Sequence, residues 1–275
     1  MGHYRGQCYS WDVVNEALND NGTFRNSVFF NVLGTDYIPL SFKAAAAADP
    51  DAKLYYNDFS LEFNSNKTVG ALNIVRLVQG AGERIDGVGF QAHMIVGQTP
   101  SRQQLTRVLN RFTDLGLEVA LTELDVRFTR LPANGSAVQQ QSADYVSMVG
   151  ACLDVEQCVG VVVWQFTDKY SWIPTTFPGN GDACLFDQNM VRKPAYTAVS
   201  NLLASASTGS AAQTGGSRGS GGRGGPSSTG GGGGGGGSPP AQTSTPFEST
   251  ASSGRTAGLS VAAALVAVLA GLLAA

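Results

Sequence analysis

The sequence has little charge and carries no basic run. Charged residues make up 14% of its 275 residues, and the formal net charge is −3. Bulk charge therefore gives no reason to expect a nucleic acid or an anionic surface as a partner. No glycine-rich phosphate loop follows a predicted strand, and no Cys or His spacing matches that of a metal site. We expect a neutral, polar ligand and no metal or cofactor.

Composition divides the chain into three parts. Residues 1–204 mix aromatic, aliphatic and charged residues in globular proportions, and they are numerous enough to bury a core. Residues 205–258 are dominated by Gly, Ser, Thr and Pro and include an unbroken glycine run at 230–237. Such a segment buries too little apolar surface to offset its ordering entropy, so we predict a flexible linker. Residues 259–275 form an almost wholly apolar tail.

The apolar tail resembles the signal for a glycosylphosphatidylinositol anchor. Small residues at 249–253, a short polar spacer and the tail itself occur in the order that such signals have. A short tail-anchor helix or an aggregation-prone extension is the alternative. Anchor signals are read in the endoplasmic reticulum, whereas residues 1–10 are polar and unlike a signal peptide. We therefore expect a secreted or extracellular protein whose true N-terminus precedes the printed one, with membrane attachment only through a lipid.

Two further features bear on a secretory route. Asn21, Asn66 and Asn134 each begin an Asn-x-Ser/Thr triplet, which would accept an N-glycan there. Of the four cysteines, Cys152 and Cys158 are close enough along the chain to close a small loop, which favours a disulfide. Two free, buried thiols are the alternative, and a cytosolic protein would favour that alternative.

Apolar runs alternate with amphipathic segments throughout residues 1–204. Repeated strand-helix units predict a parallel sheet with helices outside it. Five units are too few to close an eight-stranded barrel, and an open doubly wound sheet is the alternative. The predicted strands are 9–15, 53–57, 87–92, 118–122 and 159–166, and the predicted helices are 27–48, 68–80, 101–116, 137–153 and 194–203.

Two glutamates lie where predicted strands end. Glu16 follows Trp-Asp-Val-Val-Asn at the first strand, and Glu123 follows Ala-Leu-Thr at the fourth. The carboxyl ends of barrel strands carry active-site residues, so both side chains are expected to face one cleft. Retaining glycoside hydrolysis needs such a pair about 5 to 5.5 Å apart, one carboxyl protonated and one ionised. A solvated acid or a salt-bridge partner is the alternative for either glutamate alone.

Polar and aromatic residues follow other predicted strands. Gln91 and His93 are two residues apart, so their side chains are expected on the same side as the glutamates. Asp125 is a candidate to hold one nitrogen of His93. Trp164 and Trp172 flank a polar loop and have faces suited to stacking on sugar rings. The alternatives are a structural histidine and tryptophans of the core or rim.

Six motifs, in order, resemble those of glycoside hydrolase family 10, the β-1,4-xylanases. They cover about residues 4–203, and their number and order make the resemblance specific. The resemblance implies an α/β fold, a (β/α)8 TIM barrel of which residues 1–204 contain about five C-terminal units. It also implies hydrolysis of internal β-1,4 bonds in xylan or xylo-oligosaccharides. The motifs are Trp-Asp-Val-Val-Asn-Glu, Leu-Tyr-Tyr-Asn-Asp, Gly-Val-Gly-Phe-Gln-Ala-His, Leu-Thr-Glu-Leu-Asp, Asp-Lys-Tyr-Ser-Trp and Lys-Pro-Ala-Tyr.

The same resemblance implies roles for individual residues. Glu16 would be the general acid/base, and Glu123 would be the nucleophile that forms a covalent intermediate. Substrate contacts would come from Asn15, Tyr56, Asn57, Gln91, His93, Trp164 and Trp172, with Tyr56 and Asn57 on the aglycone side, Asp125 orienting His93, and Cys152 bonded to Cys158 as in fungal members.

Two departures from the family pattern change the expectation. Gln165 stands where members usually carry Gly, which would reshape the site. The chain also begins just before the fourth strand of the family barrel, which would leave two sheet edges unpaired. We therefore expect a monomer that is unstable or inactive as printed. A related retaining β-glucanase or cellulase and an inactive polysaccharide-binding surface protein are the alternative functions.

Overall fold

A six-stranded parallel sheet forms the centre of the described chain, which in this computed structural model comprises residues 1–214, with side chains for residues 1–207. The strands are β1 Ser10–Asn15, β2 Lys53–Asp58, β3 Gly87–Phe90, β4 His93–Ile95, β5 Glu118–Arg127 and β6 Cys158–Val163. The helices are α1 Val28–Leu33, α2 Tyr37–Ala48, α3 Asn66–Gly80, α4 Arg102–Thr113, α5 Gly135–Leu153, α6 Ile173–Thr176 and α7 Pro194–Thr214.

The strands follow one another across the sheet in chain order. β1 pairs with β2 and β2 with β3, and β5 pairs with β6, all in parallel. β3 pairs with the first half of β5 and β4 with its second half, so β3 and β4 occupy one strand position. Helices connect successive strand positions. This order is that of part of a (β/α) barrel, which confirms the predicted fold class.

Helix boundaries show which sequence signals act locally. Ser101 caps α4 through a reciprocal hydrogen-bond pair with Gln104, and Gly116 follows the helix with a φ of +81°. These are the two ends of the predicted helix 101–116. The predicted helix 27–48 is instead divided at Gly34, whose φ of +60° ends α1 before α2 begins. A residue with a positive φ cannot continue a right-handed helix, so the structure has two helices where one was predicted.

The last described helix extends beyond its predicted end. α7 runs to Thr214, so residues 205–214 are helical although they lie in the range 205–258 that was predicted as linker. This stretch is rich in alanine and has no proline, which allows the helix to continue. Residues 215–258 and the 259–275 tail lie outside the described residues. Among residues 1–214, no helix is both long and apolar enough to cross a membrane.

The core lies between the sheet and its helices. Buried apolar side chains from the strands pack against those of α2, α3, α4, α5 and α7 as one continuous cluster. Phe90 of β3 meets Phe112 of α4 edge to face, with ring centroids 5.2 Å apart. Each such side chain contributes roughly 1.5 to 3 kcal/mol when fully buried. The core therefore fixes the strands whose carboxyl ends carry the polar residues.

β1 and β6 are the edges of the sheet in the described part of the chain. β1 pairs only with β2, and β6 pairs only with β5. Within β6, Val162 is 49% exposed, and a cavity of about 430 Å³ beside this strand has an almost wholly apolar lining. The two predicted open edges are therefore present. Instability of the printed chain stays a prediction.

A disulfide joins Cys152 to Cys158, which is the predicted pairing. It links the end of α5 to the start of β6, with the two Cα atoms 5.3 Å apart. Cys8 is partly exposed and Cys184 is buried, and both are free thiols. The disulfide lowers the conformational entropy of the unfolded chain in a segment next to the edge strand β6.

Replacing both bonded cysteines, Cys152→Ala with Cys158→Ala, is expected to lower the free energy of unfolding by about 2 kcal/mol, because a short loop is no longer constrained in the unfolded state. Urea denaturation followed by circular dichroism measures the change. Cys8→Ala serves as the control, with an unchanged midpoint. Equal midpoints for the double variant and the parent protein would contradict the prediction.

Candidate active site

Two glutamates meet at the carboxyl ends of the strands. Glu16 directly follows β1, and Glu123 lies within β5, which runs to Arg127 instead of ending at the predicted residue 122. The strand is longer because β4 pairs with its second half. Glu16 and Glu123 line the same cavity, which has a volume of about 560 Å³.

Side-chain amides connect the two carboxylates. Gln91 Nε2 donates to Glu16 Oε1 at 3.2 Å and lies 3.2 Å from Asn15 Oδ1. Asn57 Nδ2 lies 3.0 Å from the same Asn15 oxygen and donates to Glu123 Oε1 at 2.9 Å. These four contacts form an unbroken chain from one carboxylate to the other. Neutral N–H donors therefore separate two groups that would repel each other if both were ionised.

Asn57 is held beneath the cavity. Its side chain is 1% exposed, and its Oδ1 accepts a hydrogen bond of 2.7 Å from the Thr122 hydroxyl. Because the amide oxygen is occupied in this way, the amide nitrogen faces Asn15 and Glu123. Asn57 thus donates a hydrogen bond to the Glu123 carboxylate but does not itself line the cavity.

The structure does not bring Tyr56 to the cavity, which corrects its predicted position at the substrate. Tyr56 is fully buried in β2, and its hydroxyl donates to the Asp58 carboxylate. Consecutive residues of a strand point to opposite faces, so Tyr56 faces the helices when Asn57 faces the site. Burial raises the pKa of the Tyr56 phenol well above its ordinary value.

His93 bridges two carboxylates. Its Nε2 lies 3.3 Å from Glu123 Oε2, and its Nδ1 lies 3.0 Å from Asp125 Oδ2. Burial alone would lower the pKa of His93, but hydrogen bonds to Asp125 and Glu123 outweigh it and raise the pKa to about 9. At neutral pH the imidazolium therefore donates from both nitrogens. His93 supplies a positive charge between two acids.

The two tryptophans differ in how they are held. Trp172 Nε1 donates to Asp125 Oδ2 at 2.8 Å, and its ring lies edge-on to His93 with centroids 4.8 Å apart. Trp164 follows β6 and is 42% exposed. Both line the cavity. Trp172 is therefore part of the hydrogen-bonded site, whereas Trp164 is partly open to solvent.

Several cavity residues were not predicted from the sequence. Arg25 Nη1 donates to Glu16 Oε2 at 2.6 Å, and Arg127 packs its guanidinium 4.1 Å from the centre of the Phe177 ring. Arg127 ends β5, so the same strand-end argument that found Glu123 would have identified it. Arg25 lies in a loop and carries no such signal. The unpredicted lining residues are Arg25, Phe59, Ser60, Arg127 and Phe177.

A second cavity adjoins the first at Glu16. It has a volume of about 500 Å³ and is lined by Asn15, Glu16 and Arg25, among others. Glu16 and Arg25 line both cavities, whereas Asn15 lines only this one. An extended ligand that occupied both cavities would pass directly over the Glu16 carboxylate.

Comparison with known proteins gives one consistent family. Residues 1–202 match the family model described as Glycosyl hydrolase family 10. "Endo-1,4-beta-xylanase 1" of Humicola insolens is 63% identical over 204 residues, which are 74% of this chain and 48% of that protein. "Endo-1,4-beta-xylanase 5" of Pyricularia oryzae is 64% identical over 206 residues, which are 75% of this chain and 51% of that protein. The chain thus spans about half the length of these curated relatives.

Solved structures agree with this result. Penicillium canescens endo-1,4-beta-xylanase XylE superimposes with a TM-score of 0.71 at 45% identity, covering 73% of this chain and 62% of that one. Xylanase 10B from Thermotoga petrophila, solved in complex with xylobiose, gives a TM-score of 0.72 at 38% identity over 74% of this chain and 62% of that one.

The protonation of His93 predicts how stability depends on pH. The pKa of His93 is about 9 in the folded protein, against an ordinary value of about 6.5. Protonation of His93 therefore stabilises the folded state fully below pH 6.5, and this stabilisation is lost as the pH rises through 9. We expect the free energy of unfolding to fall by up to about 3 kcal/mol between pH 6.5 and 9. Urea denaturation across this range measures the fall.

The His93→Gln variant is expected to lose most of this pH dependence, and His3→Gln to keep it. Because the chain has only two histidines, their ring resonances can be assigned from these variants. An NMR titration that placed the pKa of His93 at or below 6.5 would refute the prediction.

Proposed function

The chain belongs to glycosyl hydrolase family 10, and on this premise we propose that the protein is an endo-1,4-beta-xylanase, which hydrolyses internal β-1,4 bonds of xylan with retention of configuration. The observation that carries the proposal is the pair Glu16 and Glu123, joined by amides and lining one cavity. The relatives' names give the substrate class, and two solved relatives hold xylobiose.

In the first step, ionised Glu123 attacks the anomeric carbon of the sugar. The bond from this carbon to the bridging oxygen breaks, and protonated Glu16 donates its proton to that oxygen, so the aglycone leaves as an alcohol. The hydrogen bond from Asn57 and the contact with His93 hold the carboxylate of the nucleophile in place. Retention requires the two carboxyl groups to lie about 5 to 5.5 Å apart.

In the second step, water completes the reaction. Ionised Glu16 takes a proton from a water molecule, whose oxygen attacks the anomeric carbon and releases Glu123. Glu16 is then protonated again, and the product keeps the original anomeric configuration. Arg25 and Gln91 hold the Glu16 carboxyl in place through both steps.

Sugar contacts are assigned from side chains at the cavity. Trp164 and Trp172 present ring surfaces, on which sugar rings stack. Asn15 and Gln91 supply the amides that reach hydroxyl groups beside the cleaved bond, with Asn57 supporting them from below. Asp125 fixes the orientation of His93 by accepting from Nδ1.

We further propose the organisation and location of the protein. The 1–204 region is the family's C-terminal catalytic part, the 205–258 region is a spacer that begins with the end of α7, and the 259–275 region is an anchor signal. The protein is secreted, acts as a monomer and carries N-glycans at Asn21, Asn66 and Asn134, whose side chains are exposed. Expression in a fungal host tests the anchor: phosphatidylinositol-specific phospholipase C should release surface-bound protein, and continued attachment would reject it.

The activity is tested with two forms of the protein. One is the printed chain, and the other is a chimera that carries the N-terminal half of the Humicola insolens relative before Met1. We expect the chimera to release reducing ends from xylan much faster than from cellulose. We expect the printed chain to show little turnover, because β1 and β6 each pair on one side only in the described residues. A chimera that folds but hydrolyses neither polysaccharide would exclude the proposed function, and a preference for cellulose would replace xylanase by glucanase.

Substitution of each glutamate separates their roles in the chimera. Glu123→Gln is expected to lower kcat by roughly 10³-fold or more on every substrate, because the nucleophile is lost. Glu16→Gln is expected to lower kcat on xylan by about 10² to 10⁴-fold. Formation of the covalent intermediate from an aryl xylobioside should remain fast, since a nitrophenolate leaves without protonation.

Glu118→Gln is the matched control, because Glu118 lies on the same strand at its opposite end and accepts from Tyr9 and Tyr55. It is expected to keep normal turnover. NMR of the first product anomer reports retention. An inverted product, or equal losses in all three variants, would refute the assigned roles.

A further inference from the structure

Glu62 is a buried glutamate that the proposed chemistry does not use. It lies between β2 and α3 and is fully buried. Its Oε1 accepts a hydrogen bond of 2.7 Å from the backbone N–H of Ala92, thirty residues further along the chain. A buried carboxyl group is retained only where specific contacts offset its desolvation. The hydrogen bond from Ala92 is such a contact.

Ala92 occupies the break between β3 and β4. Its φ is +62°, in the left-handed region that alanine rarely adopts. Its carbonyl accepts from Asp125 N at 3.3 Å, and the preceding amide, Gln91 N, donates to Asp58 O at 3.1 Å. The Glu62 carboxyl supplies the remaining backbone contact at this residue. These three bonds together set the direction of the chain from β3 to β4.

The two neighbours of Ala92 contact the two carboxylates of the site, one each. Gln91 Nε2 contacts Glu16 Oε1, and His93 Nε2 contacts Glu123 Oε2. A rotation of the backbone at Ala92 would move both side chains at once. Without Glu62, the buried Ala92 N–H would lose its acceptor, and the turn would be free to move toward a less strained conformation.

The hydrogen bond to Ala92 does not require one charge state of Glu62. Burial raises the pKa of Glu62 to about 7, although hydrogen bonds from its own backbone N–H and from that of Ala92, and the charges of His93 and Lys67, act in the opposite direction. Within residues 1–214, Glu62 Oε2 has no hydrogen-bond partner, so it is the oxygen that can carry the proton. Oε1 accepts from Ala92 whether the group is ionised or neutral.

We propose that Glu62 is a positioning residue: it holds the left-handed turn at Ala92 and thereby sets Gln91 against Glu16 and His93 against Glu123. The catalytic consequence rests on the proposed function, whereas the positioning itself does not. Glu62 touches neither the cavity with the two glutamates nor the reacting atoms.

The first test uses the unmodified chain. In NMR hydrogen-exchange experiments, the Ala92 amide is expected to exchange at least a hundredfold more slowly than the exposed amides of loops, because its acceptor is a buried carboxyl. Rapid exchange of this amide in the folded protein would overturn the proposal without any substitution.

The second test compares two substitutions of similar size. Glu62→Met removes the acceptor and fills the space, whereas Glu62→Gln removes the charge and keeps an oxygen acceptor. In Glu62→Met, the pKa of His93 is expected to fall by at least one unit, since its contacts with Glu123 and Asp125 lengthen. In Glu62→Gln it should stay within half a unit of the parent value.

Turnover is the third measurement, and it is made in the chimera because the printed chain itself is expected to show little turnover. Glu62→Met is expected to lower kcat on a xylo-oligosaccharide by about tenfold to a hundredfold with a smaller change in KM, because the groups are displaced and the binding surface is not. Glu62→Gln should restore kcat to within about threefold. A hundredfold loss is the size expected for a misplacement of about 1 Å.

Asp144→Leu is the matched control. Asp144 is also a buried carboxyl that accepts a backbone N–H at 2.7 Å, from Gly97, but it does not contact the 91–93 turn. It should leave the pKa of His93 unchanged. Equal effects of Glu62→Met and Asp144→Leu, or a lost His93 shift in Glu62→Gln, would overturn the proposal. If all forms lack turnover while the NMR results are as expected, the proposed function fails and the positioning role stands.

Discussion

The chain of amide contacts between Glu16 and Glu123 is the interaction on which the site depends. Each link comes from a different strand position, and Asn15 lies directly opposite Asn57 in the register of β1 and β2. A shift of one residue would turn the Asn57 side chain to the other face of the sheet. The hydrogen bonds of the site are therefore possible only in this register, and the apolar core that fixes the register also fixes the carboxylates.

Charged side chains at the site form two separate groups, one of three residues and one of two. His93 lies between Glu123 and Asp125, and Arg25 contacts Glu16 on its other side. The His93 contacts are mostly buried, whereas the ion pair of Arg25 with Glu16 is partly exposed and is weakened more by solvent. The carboxylate proposed as nucleophile thus has the more buried surroundings. The carboxyl proposed as acid/base has the more exposed partner.

The sequence predicted those features that follow from local patterns. Strand positions, the cap at Ser101 and the disulfide were all recognisable, because each depends on residues close together in the chain. The burial of Tyr56 was not, because two adjacent polar residues in one motif gave no indication which of them faces the helices. Arg25 was missed for the same reason, since its contact with Glu16 depends on the path of a loop.

Long-range contacts also explain the errors in strand length. β5 continues past residue 122 because β4 pairs with it, and β4 exists only because the chain turns at Ala92 and rejoins the sheet. No periodicity within residues 118–127 indicates that partner. The contact from Glu62 to Ala92 joins segments thirty residues apart and was equally invisible.

The open edges of the described sheet adjoin the candidate active site. Asn15 ends β1 and Trp164 follows β6, so polar and aromatic residues of the site adjoin both edges. Trp164 lines the cavity with the two glutamates and also the apolar cavity beside β6. Polypeptide that covered the β6 edge would bury this ring and the exposed Val162 together. The contact that removes apolar surface from water would thus also fix the Trp164 ring, so covering the β6 edge and ordering this wall of the cavity are one physical event.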